Sequence, residues 1–501
     1  MLIRKPTLCT LCLFILSLAA CGAESEPAVL PNTDETTNAA AESTEVSYPA
    51  PEIEAVDCEG RELRVAVYDE GVDARIPYSE LGSGEQNGEV LNDAIYDRNL
   101  KLAEKYNLVI APQNFSLMSE LNSSVSQSVL AGTDDVDIVF CSISECMNLA
   151  MKGYAQAVGD IPHIDLSSPW WLSGIVEDSS IGGVNYFAAG YANTRLFEGS
   201  GAVYFNKRMI DEFAIENPYG LVDSGEWTFD KFNEICRGIT HDVNGDGIFG
   251  LEDRYGFATN NANWMQFYAS CGNRIVTKDE SDLPYLSFGD AKSLDMIERI
   301  ITFMNDQDTT LLAEKYTGYP EQASANTNGS NRRTMIPIET FIEDRAVFVA
   351  DVVASIRQLR NMEADFGVLP PPKYDSLQEE YISYVHPTIA SGLFIPITYT
   401  ETDLMGRILE DMMYLSYEYV RPAMFEVVLN EKYTRDSESA KSFDQILNGV
   451  RLDLGLCVGL TIDNDVRVMI AENNNSISSV YQQNMNVNNG KISDAVEAFT
   501  D

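Results

Sequence analysis

The stretch Asp-Val-Asn-Gly-Asp-Gly-Ile-Phe-Gly-Leu-Glu-Asp at 242–253 carries oxygen-bearing side chains at the spacing that wraps a hard cation. Asp242, Asn244, Asp246, the carbonyl of Ile248 and Asp253 match positions one, three, five, seven and twelve of a calcium-binding EF-hand loop, with Gly247 at the sharp turn in position six. Position twelve is Asp, with a shorter arm than the usual Glu, and position nine is Gly250, which leaves that place to water; Glu252 is available to compensate. The flanks decide what kind of site this is. Thr228 caps an incoming helix with Phe229, Phe232, Ile235, Cys236 and Ile239 on one face, whereas Tyr255 to Ala258 on the outgoing side reads as a strand. A sensor needs helices on both sides that open around the ion. The pattern therefore predicts a structural Ca2+ that pins a helix to a strand, against the plainer reading of an ion-free Asp/Asn/Gly turn.

Other chemistry is sparse. His163, His241 and His386 are far apart and belong to no HExxH pair, so a catalytic zinc is not indicated. There is no GxSxG elbow. Gly82 to Gly88 has the wrong spacing for a nucleotide loop and reads as a turn. A glycosidase needs only two carboxylates at a set separation, and a chain with 77 acidic residues always contains such pairs, so that class is left without positive support rather than excluded. A net charge of -43 repels phosphates and argues against nucleic acid.

The elements that must position these residues follow from the chain's periodicity. Residues 1–20 have a basic start and an apolar run too short to span a membrane, which is an export signal. Leu18-Ala19-Ala20-Cys21 resembles a bacterial lipobox, which implies a Cys21 acylated on sulfur and a protein held on the extracytoplasmic face of the cell membrane by lipid alone. Residues 21–57, acidic and poor in large apolar side chains, read as a disordered tether. Of the cysteines left in the mature chain, Cys141 and Cys236 fall at buried positions where a free thiol acts as a small hydrophobe, so disulfides are not expected. Glu62 to Tyr68 is an alternating strand, and 91–106 repeats Leu91, Ile95, Leu102 and Tyr106 at helical spacing. Short apolar runs at 107–113, 136–144, 346–353, 365–374 and 391–399 read as buried strands, and their alternation with amphipathic helices implies an α/β fold with mainly parallel sheets. Ligands of such sheets sit beyond the strands' carboxyl ends. Tyr68, Asp69, Gln113, Ser142 and Ser144 would there face one crevice. The remaining length exceeds one core, and the order of strand-rich and helix-rich blocks gives lobe one as about 58–165 and 340–400, and lobe two as about 166–339 and 401–501.

Several segments in this order resemble the extracellular solute-binding lipoproteins of bacterial ABC importers, in the maltose-binding-protein-like sugar-binding group: Leu166 to Trp171, Gly201 to Ile210, Asn217 to Phe229, the calcium-like loop ending in Arg254 to Phe257, Asp365 to Tyr374, and Pro422 to Val428. The resemblance covers most of 58–501. It implies a two-lobed periplasmic-binding-protein-like fold of type II, hinged about a ligand cleft, and a monomer that is no enzyme but hands a carbohydrate, of oligosaccharide size, to a membrane permease. A cell-surface polysaccharide-processing enzyme and a binder of peptides or another solute are the alternatives. Sugars are held by aromatic faces and by carboxylates, amides and Arg on their hydroxyls. The implied crevice loops then offer Trp170 and Trp171, the run Tyr191, Asn193 and Arg195, the group Asn263, Trp264, Phe267 and Tyr268, and Asp351. Trp264 is the expected stacking platform, although an aromatic on a helix is more often core.

Overall fold

A computed structural model describes residues 48–69, 79–317, 332–430 and 437–500. Nine strands form its two main sheets: β1 (Arg61–Tyr68), β2 (Leu108–Phe115), β3 (Ile138–Ser142), β4 (Gly201–Asn206), β5 (Tyr255–Thr259), β6 (Thr310–Leu312), β7 (Ala346–Val352), β8 (Phe366–Leu369) and β9 (Ser391–Phe394). The first sheet has the order β9-β3-β1-β2, with β1 parallel to both neighbours and β9 antiparallel to β3. The second has the order β8-β4-β7-β5-β6, in which β7, β5 and β6 run parallel and β4 is antiparallel to both its neighbours, β7 and β8. Burial follows position in the sheet. Every residue of the inner strand β3 is buried, whereas the edge strand β2 alternates and leaves Val109 exposed.

Seven helices matter for the site: α1 (Val90–Tyr106), α2 (Ile143–Met151), α3 (Thr194–Glu198), α4 (Phe229–Cys236), α5 (Trp264–Ser270), α6 (Thr402–Leu415) and α7 (Ile462–Glu472). The expected cap at Thr228 forms. Thr228 accepts from the Lys231 amide at the start of α4, and Asn107 ends α1 in the left-handed conformation.

The division into lobes differs from the expected boundaries. β7 and β8, assigned to lobe one by sequence order, pair with β4 and β5 in the second sheet. An apolar run such as Ala346 to Ala350 specifies burial on both faces and says nothing about which sheet it enters. The stretch from 166 to 193 stays with the first sheet, where the Ala188 amide donates to the Leu393 carbonyl at 3.0 Å. Helix α6, expected in lobe two, packs on α1: the Tyr106 hydroxyl donates to Asp411 at 2.5 Å, and Lys105 pairs with the same carboxylate at 2.6 Å. The chain crosses between sheets at 194–200 and again at 385–390, and the two crossings touch through an antiparallel bridge between Ser200 and Val385.

Residues 48–57, expected in the tether, carry no helix or strand but lie on the first lobe. Tyr48 meets Tyr417 edge-on at 5.8 Å, the Arg407 guanidinium donates to the Glu54 carbonyl at 3.1 Å, and the Asn107 amide donates to Asp57 at 2.7 Å. The leader and Cys21 lie outside the described residues. No helix among those described is long and apolar enough to cross a membrane. The described cysteines are free thiols, all buried except the half-buried Cys58.

Candidate functional site

Beyond the carboxyl ends of β1 and β3, one pocket gathers Tyr68, Ser142, Arg195, Thr388 and Ser391 around Glu80. The sheet supplies the first two. Ser142 ends β3 and turns the chain into α2, whose first turn it caps through the Glu145 amide. Ser144, half-buried one residue into that helix, gives its amide to the Pro387 carbonyl at 3.0 Å, which ties α2 to the second crossing. Asp69 continues β1, with its amide on the Phe115 carbonyl at 2.9 Å. Arg195 comes from the other side, on the short helix α3 within the first crossing, and its guanidinium lies 5.2 Å above the Tyr68 ring. Of the residues expected in the crevice, the structure thus brings Tyr68, Ser142 and Arg195 to one point. It adds Glu80, Thr388 and Ser391.

Other expected residues are engaged elsewhere. Gln113 is half-buried on the edge strand β2, with its side-chain amide on the Asp135 carbonyl at 3.3 Å, and it is not among the residues that line the pocket. Trp170 and Trp171 are buried, and both donate their indole N–H to the single carboxylate of Glu410 on α6, each at 2.8 Å. Tyr191 has one face stacked on Phe197 at 5.0 Å and meets Tyr417 edge-on at 5.2 Å, so little of the ring is left for a sugar. Asn193 is fully buried, accepts from the Gly190 amide at 3.0 Å and braces its own loop.

The largest correction concerns Trp264. Its ring is 0% exposed, its indole N–H donates to Asp463 of α7 at 2.9 Å, and it leans on Tyr268 at 5.4 Å. Phe267 lies among Phe229, Phe232, Phe257 and Phe303, and the Tyr268 hydroxyl bonds Ser293 at 2.8 Å. Helix α5 is therefore a core helix, because α7 and the helix Ala291–Asn305 cover the faces that would otherwise meet solvent. The Asn263 side chain donates to the Ala350 carbonyl at 2.8 Å and locks the end of β7. Asp351 stands near that end, half-buried and opposite Ala202.

Sequence reasoning missed a polar cluster at the carboxyl ends of β5 and β6. Glu314 accepts the Asn261 amide through both oxygens at 3.0 Å, Arg333 donates to the Asn261 side chain at 2.8 Å, and Arg467 pairs with Asp463 at 2.9 Å. Burial holds the Glu314 carboxyl above its usual range, opposed by the Asn261 amide and by Arg333 and Arg467. His386 approaches this cluster from the second crossing. Burial pushes its imidazole down to about 4, with Asp463 opposing and Arg467 assisting, so the ring is neutral at physiological pH. These residues are scattered from 261 to 467, and no local pattern links them.

The calcium-like loop turns on its own amides. Asp242 accepts from Gly245 at 2.7 Å and Gly247 at 2.8 Å, Asn244 from Asp246 at 2.9 Å, and Asp246 from Ile248 at 2.8 Å. Gly247 has φ +77°, which the sharp turn requires. Asp253 is fully buried, with its two oxygens on the Val243 and Gly250 amides at 2.9 and 2.7 Å. Among the described residues, no three His, Cys, Asp or Glu side chains are grouped so as to hold a metal ion. The flanks are as expected, α4 before the loop and β5 after it.

No protein-family model matches the chain, and no curated protein matches it in sequence. Solved structures match its fold. A cyclo/maltodextrin-binding protein complexed with maltotetraose aligns over 88% of this chain and 96% of its own, with 13% identity and a TM-score of 0.54. The ABC substrate-binding protein Lmo0181 from Listeria monocytogenes, in complex with cycloalternan, aligns over 87% and 99%, with 9% identity and a TM-score of 0.54. UgpB from Mycobacterium tuberculosis, in complex with glycerophosphocholine, aligns over 85% and 98%, with 12% identity and a TM-score of 0.53. The chain has the two-lobed α/β fold that these binding proteins share.

Proposed function

We propose that the chain is the substrate-binding component of an ABC importer, a monomer that captures a carbohydrate of oligosaccharide size between its lobes and delivers it to a membrane permease. The observation that carries this reading is the crevice floor. Hydroxyls of Ser142, Thr388 and Ser391, the Tyr68 ring and the Arg195 guanidinium converge beyond the strand ends, in a fold whose solved examples hold maltotetraose and cycloalternan. Calorimetric titration of the folded chain with those two oligosaccharides and with glycerophosphocholine tests it. Saturable binding of an oligosaccharide without turnover is the expected result. Cleavage products would move the protein to the polysaccharide-processing class, and binding of glycerophosphocholine alone would make it a carrier of another solute.

We further propose that Cys21 carries a lipid that holds the protein on the extracytoplasmic face of the membrane. Its support is the leader pattern and the acidic stretch that follows. A Cys21→Ser variant still recovered with membranes after carbonate washing would count against it.

The 242–253 loop is proposed as a structural Ca2+ site. Its support is the ligand spacing and the left-handed Gly247, and the carboxylates of Asp242 and Asp246 keep lone pairs for an ion beside the amide bonds that shape the turn. Chelation should lower the melting temperature by a few degrees, and Asp246→Ala should abolish that difference between chelated and calcium-loaded protein. Equal melting with and without a chelator in the parent chain would remove the ion from the account.

A further inference from the structure

We propose that Glu80 makes the crevice selective for ligands that offer a hydroxyl donor, by accepting a ligand hydroxyl hydrogen on its Oε1. The inference rests on the solute-binding reading above and adds the residue and chemistry that choose the solute. Glu80 is 1% exposed, and its Oε1 has no hydrogen-bond partner among the described residues. Buried carboxylate oxygens without donors are rare, because desolvation is then uncompensated. Nearby cations leave it unsatisfied. Arg98, fully buried on α1, donates to the Glu80 backbone carbonyl at 2.7 Å and to Ser416 at 3.1 Å rather than to the carboxylate. Burial disfavours the charged form and holds the carboxyl above its usual range, while Arg195, the Ser391 hydroxyl and the Glu80 amide favour it without reaching Oε1.

The surroundings define the ligand's chemistry. Beside Glu80 stand the hydroxyls of Ser142, Thr388 and Ser391, each able to donate and to accept, and Arg195 brings a positive charge to the same pocket. A ligand ammonium would meet that charge, and the Tyr68 face that could hold it already carries the Arg195 guanidinium. A neutral polyol meets neither obstacle. Its hydroxyl gives a hydrogen to the carboxylate and accepts one from a neighbouring side-chain hydroxyl. In this conformation the pocket is too tight for a water molecule. A ligand group reaches Oε1 only when Arg195 lifts or the lobes part, so closure without ligand leaves the carboxylate oxygen unpaired, and closure on a polyol satisfies it.

The test compares Glu80→Gln and Glu80→Asp with the parent chain, using titration with maltotetraose and cycloalternan and melting without ligand. The expected result is affinity at least tenfold weaker in Glu80→Gln, with ligand-free melting unchanged or raised, because a buried charge with one oxygen unpaired has been removed. Glu80→Asp, which keeps the charge but withdraws it by one methylene, should also weaken binding severalfold. Unchanged affinity in a parent chain that binds either sugar overturns the proposal, and so does a fall in melting temperature that accompanies the affinity loss in both variants, which would make Glu80 structural. A parent chain that binds neither sugar overturns the carbohydrate reading itself.

Discussion

Replacing Glu410 by alanine is expected to destabilise the protein by roughly 3–5 kcal/mol, since each buried donor left without an acceptor costs about 1–3 kcal/mol. Glu410 is 2% exposed and accepts from the Trp170 and Trp171 indoles at 2.8 Å and from the Asp165 amide at 3.3 Å. Alanine leaves three donors facing a void. The segment from Ile161 to Leu172 would lose its grip on α6, and calorimetry should record a melting temperature about 5–10 °C lower. Glu410→Gln, which keeps one acceptor, should fall between variant and parent. Melting within a degree of the parent in the alanine variant would show that the indoles find other partners.

The second large effect is expected one turn earlier on the same helix. A Cβ at Gly406 would lie 1.7 Å from the Pro162 carbonyl oxygen and 2.9 Å from its carbon. Backbone cannot yield as a side chain does, so Gly406→Ala must lift α6 from the 161–171 segment. Alanine favours a helix over glycine by about 1 kcal/mol, but the contact is far inside any real approach, and we expect a net loss of about 3 kcal/mol or more. Gly220, exposed in the helix Pro218–Ser224, is the control, because a Cβ added there would meet nothing within 4 Å. Alanine at that position should leave melting unchanged or slightly raise it. Gly406→Ala matching the Gly220 variant would refute the clash.

Both effects come from one face of α6, where Asp403, Gly406, Glu410 and Tyr414 meet His163, Pro162, Trp171 and Trp170 in turn. The sequence marks Leu166 to Trp171 as a distinctive segment but not its partner, which lies 239 residues away for Trp171. The same limit explains what else could and could not be read. Strand runs, the helix at 91–106 and the Thr228 cap are local patterns, and they appear where expected. Trp264 looks exposed because polar residues precede it, yet Asp463 arrives 199 residues later to cover it. Glu80 lies in a stretch that reads as a polar loop, and only the packing of α1 and the two crossings makes it interior. Tyr68, Ser142 and Arg195 were legible because strand ends and crossing loops define the crevice in any sheet of this kind.

The segment 48–57 has a mechanical consequence. A pull on the chain before Tyr48 enters lobe one at Tyr417, at Arg407 through the Glu54 carbonyl, and at Asn107 through Asp57. Asn107 ends α1, Arg407 lies on α6 and Tyr417 follows it, and Tyr417 in turn meets Tyr191, which stacks on Phe197 of the first crossing. A load on the leading chain is therefore taken up by the helices of lobe one, and a line of aromatic contacts carries part of it on to the first crossing.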